Sequence, residues 1–166
     1  MAEAMKFEEL RVLKMAEAIA DGIWRDVVQW DMFARDVVGG QLARAADSIG
    51  ANIAEAFGRF HFGEKLQFLY YSRGSLFESK YWLNRTLERD LMPTAHVQEY
   101  TMQLTDVARQ LNSFAATVKS QRHGTRPQPK TAREPSAEYL ADSPDDVSVP
   151  LFTDDELAWL STVPNT

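Results

Sequence analysis

The sequence predicts an all-α protein: an up-down-up-down antiparallel four-helix bundle with an extended C-terminal tail that ends in a short helix. Three observations predict it. Four stretches repeat their apolar residues at the three-and-four spacing of a helix face. The connections between them are short, which favours antiparallel neighbours. Five of the seven prolines lie between residues 127 and 150, in a polar stretch without apolar period.

The first helix spans about residues 4–29 and presents Leu13, Ala16, Ala20, Ile23 and Val27, with Leu10, Ile19 and Trp24 widening the stripe. After a break at Trp30 to Arg35, the second runs from about 37 to 57 with Leu42, Ala45, Ala46, Ile49, Ile53 and Phe57 inward. Gly39 and Gly40 each weaken a helix interior by about 1 kcal/mol relative to Ala, so an irregular first turn is expected. Gly58 is its stop. The third helix, about 63–90, carries Leu66, Leu69, Leu76, Leu83 and Leu87, and Asp90 to Thr94 around Pro93 reads as a turn. The fourth repeats Val97, Tyr100, Leu104, Val107, Leu111, Phe114 and Val118 in alternating steps of three and four, the seam of a helix packed at a shallow angle.

These elements divide the chain into a bundle over 1–120, a Pro-rich polar linker over 121–150 and a tail over 151–166. Thr153-Asp154-Asp155-Glu156 is a capping box, with Phe152 and Leu157 placed as a hydrophobic staple, so a short helix over about 154–160 is encoded. Seven residues do not hold a helix alone in water. Phe152, Leu157, Trp159 and Leu160 are therefore the candidate partner-binding residues, docking on the bundle, on a neighbouring copy or on another protein.

Composition narrows the function classes. With 166 residues and 45% hydrophobic content, the chain can build one core. The absence of cysteine removes disulfides and thiolate metal sites. No run approaches the roughly 20 apolar residues of a membrane span, and the N-terminus, with Glu3, Glu8 and Glu9, lacks a signal-peptide pattern, so a soluble, cytoplasmic protein without membrane contact is expected. The net charge of −6 is uneven: residues 1–119 carry 14 Lys/Arg against 16 Asp/Glu, and the remaining 47 carry 4 against 8. The bundle is nearly neutral.

A di-metal carboxylate centre needs Glu-x-x-His pairs, but Glu55, Glu64, Glu78, Glu88 and Glu99 are followed three places on by Gly58, Gln67, Tyr81, Leu91 and Met102. Gly39-Gly40 is no P-loop, and Ser48, Ser72 and Ser75 have no histidine at helical spacing to serve as base. No enzyme activity, metal or cofactor is expected. Ser48, Asn52 and Glu55 form a polar strip on the second helix and Arg73, Ser75 and Glu78 another on the third. Antiparallel pairing is expected to join them in a structural network, with Arg73 pairing Glu55 or Glu78 and Gly74 allowing close helix approach. Between residues 59 and 89 six basic residues face three acidic ones, and of these Arg59, Lys65, Arg85 and Arg89 are the candidate nucleic-acid contacts.

The wording of the second and third helices is specific. Residues 41–59, QLARAADSIGANIAEAFGR, followed by 68–78, FLYYSRGSLFE, resemble the bacterial four-helix bundle proteins encoded in intervening sequences of 23S ribosomal RNA genes, a family that includes the accessory variability determinant of diversity-generating retroelements. The resemblance covers about residues 7–119. It implies an up-down-up-down bundle, a ring-shaped homopentamer and no known catalysis; in the retroelement members it also implies a basic surface that binds nucleic acid and a reverse transcriptase partner. Ser48, Asn52, Glu55, Gly58, Arg59, Arg73, Gly74, Ser75 and Glu78 stand at motif positions. Ala56 replaces the usual Gly, Gly50 stands where Pro is common, and Gly39-Gly40 occupies a usually polar helix start.

Two functions follow. In one, the oligomer is an accessory protein that binds RNA or DNA, or an enzyme acting on them, such as a reverse transcriptase. In the other, it is a protein-interaction scaffold that recruits a partner through its tail helix.

Overall fold

The structure, a computed structural model, describes residues 7–125 and 146–164. Helix α1 spans Phe7–Val27, a single turn α2 spans Met32–Ala34, and α3, α4, α5 and α6 span Gly40–Gly58, Phe62–Glu88, Thr94–Thr125 and Asp154–Ser161. The described residues are all-helical, without strand. Contacts run α1–α3, α3–α4, α4–α5 and α1–α5, and α6 packs on α5. The four long helices thus close a cycle around the apolar stripes that their spacing demanded: Ile19 and Ile23 of α1, Ile49 and Ile53 of α3, Leu76 and Leu83 of α4, and Leu104 and Leu111 of α5 are all buried. No helix is long and apolar enough to cross a membrane.

The expected break before the second long helix is a helix of another kind. Asp31 caps α2 by accepting the Ala34 N–H at 3.0 Å, and a π-helical segment, Arg35–Gly39, leads directly into α3. A Cβ on Gly39 would stand 2.5 Å from Val27 Cγ1. Glycine is therefore what lets this corner fold against the end of α1, and a widened helical turn absorbs the mismatch.

Other boundaries move for identifiable reasons. Trp24, expected to widen the α1 stripe, is 59% exposed, because α1 has only two long helical neighbours and Trp24 faces neither; the side chain of Leu10 lies outside the described residues. Gly74 is exposed and a Cβ there would meet nothing within 4 Å, so it admits no close approach inside this chain. Helix α5 continues past the expected bundle boundary at 120 to Thr125, no proline arriving before residue 127. Of the expected linker, residues 126–145 lie outside the described residues, while Asp146 to Pro150 lie along α5. Asp90 takes φ 52° at the turn after α4.

At one end of the molecule α1 and α5 are tied by Asp26, which accepts the Tyr100 hydroxyl at 2.8 Å and faces His96 Nδ1 at 3.2 Å. Burial, then the neighbouring carboxylate, raises the Tyr100 phenol above its ordinary value.

Candidate functional site

A groove between α4 and α5 holds the C-terminal tail. Lys80 and Lys119 open the explanation, because both occupy apolar-stripe positions: Lys80 stands four after Leu76 and three before Leu83, and Lys119 four after Ala115. Each is fully buried, which a cation tolerates only with oxygen partners. The tail's main chain supplies them. Lys119 Nζ donates to the carbonyls of Asp146 at 3.1 Å and Val149 at 2.8 Å. Lys80 Nζ donates to the Thr162 carbonyl and lies 3.4 Å from Thr101 Oγ1. With no carboxylate among its hydrogen-bond partners, burial pushes the Lys80 ammonium down to about 8.

Between these two clamps, Asn112 donates to the Phe152 carbonyl at 2.8 Å and accepts the Phe152 N–H at 2.6 Å. Arg73 Nε donates to the Leu151 carbonyl at 2.8 Å, and its guanidinium pairs with Glu156 and lies over the rings of Phe77 and Phe152. Four side chains thus fix the tail through its backbone. Apolar contact completes the fit: Leu151, Phe152 and Leu160 join the core and Leu157 packs at its edge. Trp159, stacked on Phe77 at 5.7 Å, stays 45% exposed. The capping box forms as encoded, Thr153 Oγ1 accepting the Glu156 N–H at 3.2 Å and Glu156 accepting the Thr153 N–H at 2.9 Å. Asp146 closes the near end; hydrogen bonds from the Ser148 N–H and hydroxyl hold its carboxyl below the usual range. Of these anchors, the sequence singled out Arg73 alone. Lysines on an apolar stripe were the signal for two others.

The polar strips of α3 and α4 meet only in part. Asn52 donates to the Ser48 carbonyl at 2.8 Å and reaches Ser75 Oγ at 3.5 Å. The expected pairing of Arg73 with Glu55 or Glu78 does not form: Arg73 turns to the opposite flank of α4, toward Glu156, while Glu55 pairs with Arg59 at 2.8 Å and Glu78 is exposed. The tighter α3–α4 link is Ser72, whose buried hydroxyl donates to the Ile49 carbonyl at 3.0 Å.

The four candidate nucleic-acid contacts split into two groups. Arg59 and Lys65 flank the start of α4, Arg85 and Arg89 its end, and the twenty residues from Lys65 to Arg85 separate them by about 30 Å of helix. Three of them lie by rings: Arg59 over Phe68 at 4.6 Å, Lys65 by Phe62 at 5.9 Å, and Arg85 by Tyr81 at 5.9 Å. Phe60 and Tyr81, beside these groups, are 88% and 53% exposed.

The sequence model of the 23S rRNA-intervening sequence protein family matches residues 8–113. The chain belongs to that family. No match to a curated protein was found. In this intervening sequence protein the matched span takes in Arg73, Lys80 and Asn112, whereas Lys119 and the tail lie beyond it. The groove is therefore built largely from family sequence and filled by a segment outside the match.

Proposed function

We propose that this intervening sequence protein is a non-enzymatic, homopentameric accessory protein of the cytoplasm, folded as an up-down-up-down four-helix bundle, that binds nucleic acid or an enzyme acting on it, with ribosomal RNA or a reverse transcriptase as the partner. The connections of three residues between α3 and α4 and five between α4 and α5 support the antiparallel order. So do the contacts of α1 with α3, where Ala16 lies by Gly50 and Val27 by Gly39.

One observation carries the nucleic-acid reading: at both ends of α4, cations stand beside aromatic rings, with one ring exposed at each end. Arg59 lies over Phe68 and Lys65 by Phe62, next to the exposed Phe60, and Arg85 lies by the exposed Tyr81, with Arg89 one turn farther along the chain. Phosphates take the cations and unpaired bases stack on the rings, the combination that holds single-stranded or looped nucleic acid. A near-neutral bundle gains field strength when such groups repeat around an oligomer. The scaffold reading has a steric cost, since Phe152 and Leu160 are buried against the bundle and reach a partner only after the tail leaves its groove.

The test is retention of structured RNA at low salt by the full chain and by the Arg59, Lys65, Arg85 and Arg89→Glu variant. Binding that falls steeply with salt and is lost in the variant, with helicity intact, is the expected result. Equal retention by the two proteins would sink the reading.

A further inference from the structure

Apart from Asn112, the side chains that hold the tail's main chain in the α4/α5 groove are cations donating to oxygen. Arg73, Lys80 and Lys119 meet the carbonyls of Leu151, Thr162, Asp146 and Val149, and Arg73 also meets the Glu156 carboxylate. Lys80 has no carboxylate among its hydrogen-bond partners, so this fully buried ammonium is met by dipoles rather than by a counter-charge. Beside these cations, Phe77 of α4 holds two tail rings, Phe152 and Trp159, each with its centroid 5.7 Å away and tilted by only 31° and 30°.

The tail that fills this groove carries charge of one sign. Residues 146–164 include Asp146, Asp154, Asp155 and Glu156 and neither Lys nor Arg. Oxygens on cations and rings on a ring are the contacts by which proteins hold a single nucleic-acid strand. Asn112, which offers one donor and one acceptor to Phe152, offers the same pair to a base edge. The groove has the length for several nucleotides: Thr101, beside Lys80, and Lys119 stand eighteen residues apart on α5, about 27 Å. It also joins the two cation groups at the ends of α4. Arg122 lies against Gly63, two residues before Lys65, at one mouth, and Lys80 stands five residues before Arg85 at the other.

We propose that the α4/α5 groove is a covered binding site for single-stranded nucleic acid, and that the acidic, ring-bearing tail is a built-in stand-in which the strand displaces. This rests on the nucleic-acid reading above and adds to it a second site and its regulation. Strand phosphates take the places of the tail's carbonyl and carboxylate oxygens on Arg73, Lys80 and Lys119. Bases take those of Phe152 and Trp159 on Phe77, and Lys80 gains a counter-charge. Leu151, Phe152 and Leu160 hold the tail closed by their burial, so the docked chain engages a strand only at the ends of α4.

The experiment follows a fluorescein-labelled oligouridylate by anisotropy across a salt series, with the full chain and with two release variants, Phe152→Ser with Leu160→Ser and Leu151→Ser with Leu157→Ser. Both pairs remove apolar anchors without changing charge; hydrogen exchange of the tail amides reports release, and circular dichroism the bundle. Release should tighten binding by about tenfold or more and steepen its salt dependence, because Arg73, Lys80 and Lys119 add phosphate contacts and Phe77 a stacking face. In the release background, Phe77→Ala with Arg73→Gln should return the affinity to the parent's, and a peptide of residues 146–164 should compete with the oligonucleotide. A released tail with unchanged affinity would overturn this site and leave the ends of α4 standing. A gain untouched by Phe77→Ala with Arg73→Gln would come from the tail's charge alone and overturn the groove. Recapture of the peptide without any gain for the oligonucleotide would assign the groove to protein segments. A tail that stays protected in both pairs, or a bundle that loses helicity on release, would make the tail part of the core and overturn displacement. No binding by the parent or by either variant would overturn the proposal together with the nucleic-acid reading.

Discussion

Asn112 holds Phe152 by both faces of its peptide group, donating to the carbonyl at 2.8 Å and accepting the N–H at 2.6 Å. A side-chain amide that copies a strand partner in this way fixes the register of the tail on α5, because a slip of one residue would leave both groups unpaired. The tail's position then follows: Leu151 and Phe152 enter the core on one side of this anchor, and the capped helix α6 starts two residues later on the other.

Asn112→Ala removes both bonds and leaves two half-buried backbone groups unsatisfied. A loss of about 1–3 kcal/mol is expected. Hydrogen exchange should report it as faster exchange of the tail amides, Phe152 first, while the amides of α3 stay protected. Equal acceleration in α3 and the tail would mean that tail and bundle unfold as one unit.

Arg73 and Glu156 form the groove's ion pair, each about 30% exposed. Solvent screens part of that attraction, so a double-mutant cycle with Arg73→Met and Glu156→Gln should give a coupling of about 1 kcal/mol. Arg73→Met alone should cost more than Glu156→Gln alone, since Arg73 also holds the Leu151 carbonyl and two aromatic rings. Urea denaturation of the four proteins checks both statements.

Gly39→Ala should destabilise by about 1–3 kcal/mol, because the new methyl group meets Val27 at 2.5 Å in a packed corner. In a Val27→Ala background the same change should cost much less. Additive losses in the cycle would place the glycine requirement elsewhere, in the backbone of the π-helical segment.

How far these features could be read in advance depends on where their cause lies. Helix α5 was legible because seven apolar residues repeat without interruption, and the tail cap because Thr153 and Glu156 are neighbours in sequence. The π-helical entry to α3 was not, because it follows from Gly39 meeting Val27 across a corner, a relation no local pattern carries. The tail's destination was left open among three, since Lys80, Asn112 and Lys119 belong to residue types that ordinarily face water. Arg73 was assigned to the wrong side of its helix: spacing places a residue on a helix but leaves a long side chain free to reach either flank.

Lys80 makes tail docking depend on pH, with a sign that distinguishes burial from attraction. Its ammonium falls from the ordinary 10.5 to about 8 in the folded protein, so the folded state binds the proton less tightly than the unfolded one. The resulting penalty is fully present below pH 8 and is relieved as pH rises from 8 toward 10.5. Stability of the parent should therefore increase between pH 8 and pH 10, by on the order of 1 kcal/mol after allowance for solvent near the groove's edge. Tyr100 sets the upper limit of the window, because its raised phenol makes the folded state lose stability once tyrosine ionises in the unfolded chain, above pH 10. Lys80→Met should flatten the profile across pH 8–10 and leave the decline above it in place. Thermal melts at half-unit intervals decide the matter: a parent whose midpoint falls steadily from pH 8 upward would mean that the Thr162 and Thr101 oxygens stabilise the ammonium by more than burial disfavours it.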